Sequence, residues 1–200
     1  MLAIHRYLLQ LIPLLLLVSC GDREPPPRTL DFSGVRAGDI LFRLGDSLVS
    51  DGVLQVDTEG DYSHVGIAIE HQGRIMAAHA VPDEGDEEYT KLESLDDFYA
   101  PAKAKAGAIY RLPINEEERQ AINDLALETI AKKVPFDHDY ELYHHDKLYC
   151  TEFIWMLYQA IGWDISRGQR KKVNLGFIKT KLILPSQVHN HPQREKILSF

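Results

Sequence analysis

Cys150 stands in the run Lys147-Leu148-Tyr149-Cys150-Thr151-Glu152-Phe153, where a polar segment gives way to an apolar one. Phe153, Ile154, Leu157, Tyr158 and Ile161 follow at helical spacing and Gly162 closes the run, so the thiol falls at a helix start. Free backbone N–H groups there favour a thiolate, which makes this a place for a nucleophile of depressed pKa. Thiol attack on a carbonyl also needs a base within hydrogen-bond reach and a third group that holds the base. His64 opens one strand-like run and is the candidate base. His79, in the next run, is the candidate orienter through one ring nitrogen. The N–H of Cys150 is a natural oxyanion donor. Tyr149, Tyr62 and Glu152 neighbour these groups and are candidates for the substrate or oxyanion region. An inert buried cysteine is the plain alternative.

The two histidines meet in one register only. Val65, Ile67 and Ile69 alternate with His64, Gly66 and Ala68, giving a branched apolar face and a face of small residues. With two central residues at Gln72-Gly73, His71 faces Arg74, Gly66 faces His79, and His64 lies diagonally from His79 on one face. A three-residue turn shifts the pairing by one and spoils it. Gly66, Ala68 and Ala77 leave room on the histidine face, and the cysteine helix is the expected occupant.

Other segments frame this pair. Ile40–Arg43 reads as a short strand entered through Gly38-Asp39, and residues 44–60 as a short helix or loop over the site. Residues 90–93 read as an edge strand, 94–99 as a helical turn and 108–112 as a further strand. Asn115 and Glu118 form a capping-box pattern ahead of a helix that ends before Pro135. Residues 180–183 can add a strand, and 189–200, with His189 and His191, read as a polar solvated tail. Asp137, His138, Asp139, His144, His145 and Asp146 are metal-binding types, but their spacing matches no strong zinc signature, so neither metal nor cofactor is expected. A formal charge of -8 carries no basic footprint for nucleic acid.

The N-terminus reads as an export signal. Residues 8–18 are nearly all apolar, interrupted by Gln10 and Pro13, and too short for a confident membrane span. The run ends in Leu17-Val18-Ser19-Cys20-Gly21, which resembles a lipobox. Residues 1–19 are then a signal peptide, Cys20 an acylated residue that holds the chain to the lipid bilayer, and 20–33 a spacer with three consecutive prolines. Gly21 after the cysteine leans toward the outer membrane, facing the periplasm. With Cys20 acylated, Cys150 has no disulfide partner in the chain, so a free thiol stands in an oxidising compartment.

Gly38-Asp39-Ile40-Leu41-Phe42-Arg43, Tyr62-Ser63-His64-Val65-Gly66-Ile67, Pro135-Phe136-Asp137 and Tyr149-Cys150-Thr151-Glu152 occur in this order. The ordered set resembles the permuted branch of the NlpC/P60 papain-like superfamily, the YiiX/YebB-like group, over residues 34–188. The resemblance implies an α+β, circularly permuted papain-like fold, an antiparallel sheet packed against helices, with the histidine strand ahead of the cysteine helix. It implies Cys150 as nucleophile and His64 as base. Members of the permuted group often carry glutamate where this chain has His79, and ordinary NlpC/P60 enzymes often use histidine in that third role. The function implied is hydrolysis of peptide or amide bonds at the bacterial envelope through a thioester, as a cell-wall endopeptidase or amidase. A lipid-directed hydrolase or acyltransferase with the same triad is a second reading, and a non-catalytic envelope binding lipoprotein a third.

Overall fold

The computed structural model describes residues 28–82, 88–175 and 178–200. The signal segment, Cys20, most of the spacer and the centre of the acidic turn after Pro82 lie outside them. The chain folds as an α+β unit around a six-stranded antiparallel sheet of order β4-β3-β2-β1-β5-β8. Its strands are β1 (Ile40–Leu44), β2 (His64–His71), β3 (Arg74–Ala80), β4 (Thr90–Ser94), β5 (Ala106–Arg111) and β8 (Glu195–Ser199). A separate two-stranded sheet pairs β6 (Lys171–Leu175) with β7 (Ile178–Leu182). The helices are α1 (Leu48–Val56), α2 (Leu95–Phe98), α3 (Glu116–Ala131), α4 (Cys150–Gln159) and α5 (Pro185–His189).

The β2–β3 hairpin takes the two-residue turn. Gln72 and Gly73 have φ of 52° and 72°, and His71 pairs with Arg74. Two left-handed residues match the right-handed strand twist, which sets the register that carries Ile67 opposite Ala78. β2 is buried on both faces. Val65, Ile67 and Ile69 enter the main core with Phe153, Ile154 and Leu157 of α4 and Ile122 of α3. Ala68 and Ala77 lie in a second cluster with Leu95, Phe98 and Tyr99.

This corrects one expectation. The room beside Gly66 is filled by α2, not by the cysteine helix: a Cβ on Gly66 would come within 3.2 Å of the Phe98 ring and 3.1 Å of the Ala78 carbonyl oxygen. Helix α4 packs on the opposite, branched face because its stripe of large apolar side chains needs the larger apolar surface.

Elsewhere the local signals hold. Asn115 accepts from the Glu118 N–H at 2.9 Å, and the Glu118 carboxylate accepts from the Asn115 N–H at 2.7 Å, closing the capping box of α3. Fully buried Asp39 takes two hydrogen bonds of 2.7 Å from the Arg111 guanidinium, and the Tyr158 hydroxyl donates to the Gly38 carbonyl at 2.6 Å. The Gly38-Asp39 turn thereby joins β1, β5 and α4. Residues 189–200 are not a solvated tail. His189 and His191 are buried, and β8 pairs with β5 to close the sheet edge. Ile197, Leu198 and Phe200 pack on the smaller cluster, a contact invisible without knowing that β5 is their neighbour. Among the described residues no helix is long and apolar enough to cross a membrane.

Candidate active site

Cys150 is the first residue of α4, with Tyr149 in extended conformation as N-cap. Both flanking side chains anchor this turn. The Tyr149 hydroxyl accepts the Ile183 N–H at 2.9 Å, and the Thr151 hydroxyl donates to the Ile183 carbonyl at 2.6 Å. The segment after β7 therefore clamps the helix start on either side of the thiol. Tyr149, considered for the oxyanion region, has its hydroxyl engaged in this clamp and its ring buried.

Cys150 as a residue is half-buried, and its thiol lies toward the interior. Burial pushes it up from its ordinary value, against the backbone N–H groups of Val65, Thr151 and Cys150, which favour the thiolate. The net direction is upward, so the depressed thiol pKa expected from the helix start is not realised: desolvation outweighs the helix N-terminus. The Val65 N–H beside the sulfur belongs to the residue after His64, so α4 and the start of β2 meet at one corner of the sheet.

His64 and His79 come together. Their Nε2 and Nδ1 atoms lie 2.9 Å apart, with the rings nearly perpendicular and Phe98 against both. Burial, then Arg43, His79 and Lys91, holds His64 well below the ordinary histidine range. Burial lowers His79 to about 4, against the raising effect of Glu93. Both rings are therefore neutral near pH 7. No hydrogen bond joins Cys150 to His64 among the described residues; the groups that favour the thiolate are the backbone N–H groups above and the Thr151 side chain.

Sequence reasoning missed Glu93. Lys91 pairs directly with His79, and Glu93 follows two residues along β4 on the same side. Its Oε1 lies 3.1 Å from His79 Nε2, while Lys103 Nζ lies 2.7 Å from Oε2 and Arg43 Nη1 3.5 Å from Oε1. Burial raises the Glu93 carboxyl, but His79 and Lys103 overcome this and bring it to about 2. The signal was an acid on an edge strand beside the histidine strand, legible only once the β3–β4 register is known.

Tyr62 and Glu152 lie elsewhere. Tyr62 packs between Phe42 and His189. Glu152 is fully buried, its Oε1 lying 3.2 Å from His145 Nδ1 and accepting the Tyr143 N–H at 3.3 Å. In the same loop Asp137 accepts the N–H groups of Asp139 and Glu141 at 2.9 and 2.6 Å, which uses its carboxylate to shape the chain. Among the described residues no three His, Cys, Asp or Glu side chains are grouped to hold one metal ion. A cleft of about 480 Å³ borders His64, lined by Arg43, Ser47, Ser50, Ser63 and Lys103 among others. The start of α1 thus lies over it, as expected for residues 44–60, although Cys150 is outside the lining.

Three comparisons bear on this arrangement. YiiX of Escherichia coli strain K12, described as uncharacterized, is 28% identical over 140 residues, 68% of this chain and 64% of that protein. The match thus spans less than two thirds of YiiX. A crystal structure described as metalloprotein yiiX from Escherichia coli O157:H7 aligns with a TM-score of 0.68 at 21% identity, covering 82% of this chain and 97% of that one. This likeness shows the fold. A family described as permuted papain-like amidase enzymes, YaeF/YiiX, C92, matches residues 34–198. With the histidine strand ahead of the cysteine helix and an antiparallel sheet against helices, the chain belongs to this YaeF/YiiX family of permuted papain-like amidases.

Proposed function

We propose that the chain is a thiol-dependent amidohydrolase that cleaves peptide or amide bonds at the bacterial envelope, held to the membrane through acylated Cys20. The observation that carries this reading is a neutral histidine, His64, with one ring nitrogen engaged by buried His79, next in the chain to Val65, whose N–H favours the Cys150 thiolate. Because burial holds the thiol up and both histidines down, the resting pair is thiol and imidazole rather than a standing ion pair. His64 Nδ1, the nitrogen not used by His79, takes the thiol proton as the sulfur attacks the carbonyl carbon. The N–H groups at the α4 start offer hydrogen bonds to the oxyanion. Collapse breaks the C–N bond, and the imidazolium returns its proton to the leaving amine. Water, deprotonated by His64, then cleaves the thioester and releases the acid. Hydrogen bonds at catalytic sites without substrate are often long and tighten when it binds, so the lack of a His64–Cys150 hydrogen bond among the described residues does not count against the pairing.

The cleft beside His64 sets Arg43, Lys103 and three serines beside Val49, Val81, Pro82 and Ala102, a mixed lining that suits a peptide's polar backbone together with an apolar side chain. The YiiX structure is described as that of a metalloprotein. Here His138, His144 and His145 pair singly with Glu88, Glu141 and Glu152, and no three such side chains among the described residues are grouped to hold one ion. The full chain in detergent, incubated with peptidoglycan fragments, acyl-amides and phospholipids, should release product from a polar amide and carry an acyl adduct on Cys150, both read by mass spectrometry. Undiminished turnover by Cys150→Ala would overturn the mechanism. Turnover of phospholipids alone would move the substrate to the lipid class.

A further inference from the structure

A neutral imidazole pair can share one hydrogen bond in two ways. Either His79 Nδ1 accepts from His64 Nε2–H, or it donates to His64 Nε2. A neutral ring carries one N–H, so only the first arrangement leaves a lone pair on His64 Nδ1. In the second, that nitrogen already holds hydrogen and cannot receive the thiol proton. The separation of 2.9 Å suits both arrangements, so the choice is made by a neighbour.

Glu93 is that neighbour. Its Oε1 lies 3.1 Å from His79 Nε2, and these two buried atoms, each without another hydrogen-bond partner among the described residues, face one another at ion-pair distance. Lys103, Arg43 and Lys91 flank the carboxyl at 2.7, 3.5 and 4.0 Å, and three cations at ion-pair distance keep it ionised. An ionised carboxylate accepts and cannot donate. His79 Nε2 then carries the hydrogen, its Nδ1 accepts, and His64 Nε2 donates. We propose that Glu93 is a positioning residue which, through His79, selects the tautomer of His64 whose Nδ1 can take the proton of Cys150. This rests on the cysteine-hydrolase reading and extends it. Glu93 is two links from the thiol and touches no substrate. Once the proton has moved, the same carboxylate offsets the new positive charge, a duty that neutral His79 alone performs poorly. The directions at the three groups agree, with Glu93 held near 2, His79 near 4 and His64 well below its ordinary value. The charged neighbours are Arg43 on β1, Lys91 on β4 and Lys103 before β5.

Two readouts on the full chain in detergent test this. Nitrogen NMR of the histidine rings reports which nitrogen is protonated without any substrate, and iodoacetamide alkylation of Cys150 across pH reports the base. The wild type should show hydrogen on Nε2 of both His64 and His79. Glu93→Gln, whose amide can donate or accept, should give mixed tautomers and slow alkylation about tenfold near neutral pH, with a displaced pH profile. Glu93→Asp should recover part of the rate. Because Glu93→Gln leaves Lys103 without its carboxylate, Glu93→Gln combined with Lys103→Gln is measured beside it, with thermal unfolding as the check on folding. Unchanged tautomers and an unchanged alkylation profile in the folded variants would overturn the role of Glu93, while slow alkylation in His64→Ala would leave the hydrolase reading standing. Undiminished alkylation in His64→Ala has the other meaning and overturns both together.

Discussion

Two histidine–glutamate pairs sit at almost the same separation, His79 with Glu93 at 3.1 Å and His145 with Glu152 at 3.2 Å. Their charges differ because their surroundings differ. Glu93 meets Lys103 and Arg43, and its carboxyl is brought to about 2. Glu152 is fully buried among acids, with Asp137 and Asp146 acting on it, and is pushed up to about 8 by burial first. At neutral pH the first pair is an ionised acid behind a neutral ring. The second is a protonated acid, and its histidine is also held below its ordinary value by burial and by His144. Distance alone therefore does not identify an acid that can orient a base. The cations around it do.

The two pairs also give stability opposite pH signs. His79 titrates at about 4 when folded against an ordinary 6.5, so the unfolded chain takes up a proton that the fold refuses, and stability falls between those values as pH drops. Glu93, at about 2 against 4.5, extends the loss to lower pH. Glu152, at about 8 against 4.5, is protonated in the fold where the unfolded chain is ionised, so its side costs stability as pH rises from 4.5 through 8.

The comparison is broken most severely at His64. His64→Ala should slow alkylation of Cys150 by roughly 100-fold near neutral pH, the scale of a lost general base, whereas His145→Ala should leave the rate within about twofold. Equal losses in iodoacetamide kinetics would dissolve the distinction between the pairs. A smaller effect separates the acid limbs. His79→Gln should flatten the fall in melting temperature between pH 6.5 and 4, because it removes the group that the fold keeps from protonating; a melting curve as steep as wild type there would contradict the assignment. On the alkaline side, Glu152→Gln should raise the melting temperature at pH 9 by about 3 °C or more, roughly 1 kcal/mol for a chain of this size, and change little at pH 4. A loss of stability at pH 9 would show that the Glu152 carboxylate is welcome. Smallest of all, His145→Ala should cost under about 1 kcal/mol in chemical denaturation, since this partly exposed contact is screened by solvent.

Much of the frame was legible because it is local. The α4 start at Cys150, the Asn115–Glu118 box and the alternation of β2 follow from residue types at short spacing. The His64–His79 pairing was legible only as one of two registers, and Gln72 in a left-handed conformation decided between them. Glu93 escaped because its meaning depends on which residue of β4 faces His79. The α2 segment escaped as well: four helical residues carry too short a pattern to show that Phe98 would fill the space beside Gly66. The last twelve residues read as polar because their apolar members are few, and their burial depends on β5, more than eighty positions earlier in the chain.

Cys150 remains the point at which these lines meet. The sequence by itself determined that a thiol opens a helix, that two histidines flank a hairpin, and which residue types stand near each. These follow from backbone geometry and side-chain period, which act over a few residues. Only the tertiary structure decided that the thiol rests protonated, that α4 covers the branched face of the sheet, and that an ionised Glu93 stands behind His79. Those outcomes depend on desolvation and on charges brought in from distant strands, and neither is written in any short stretch of chain.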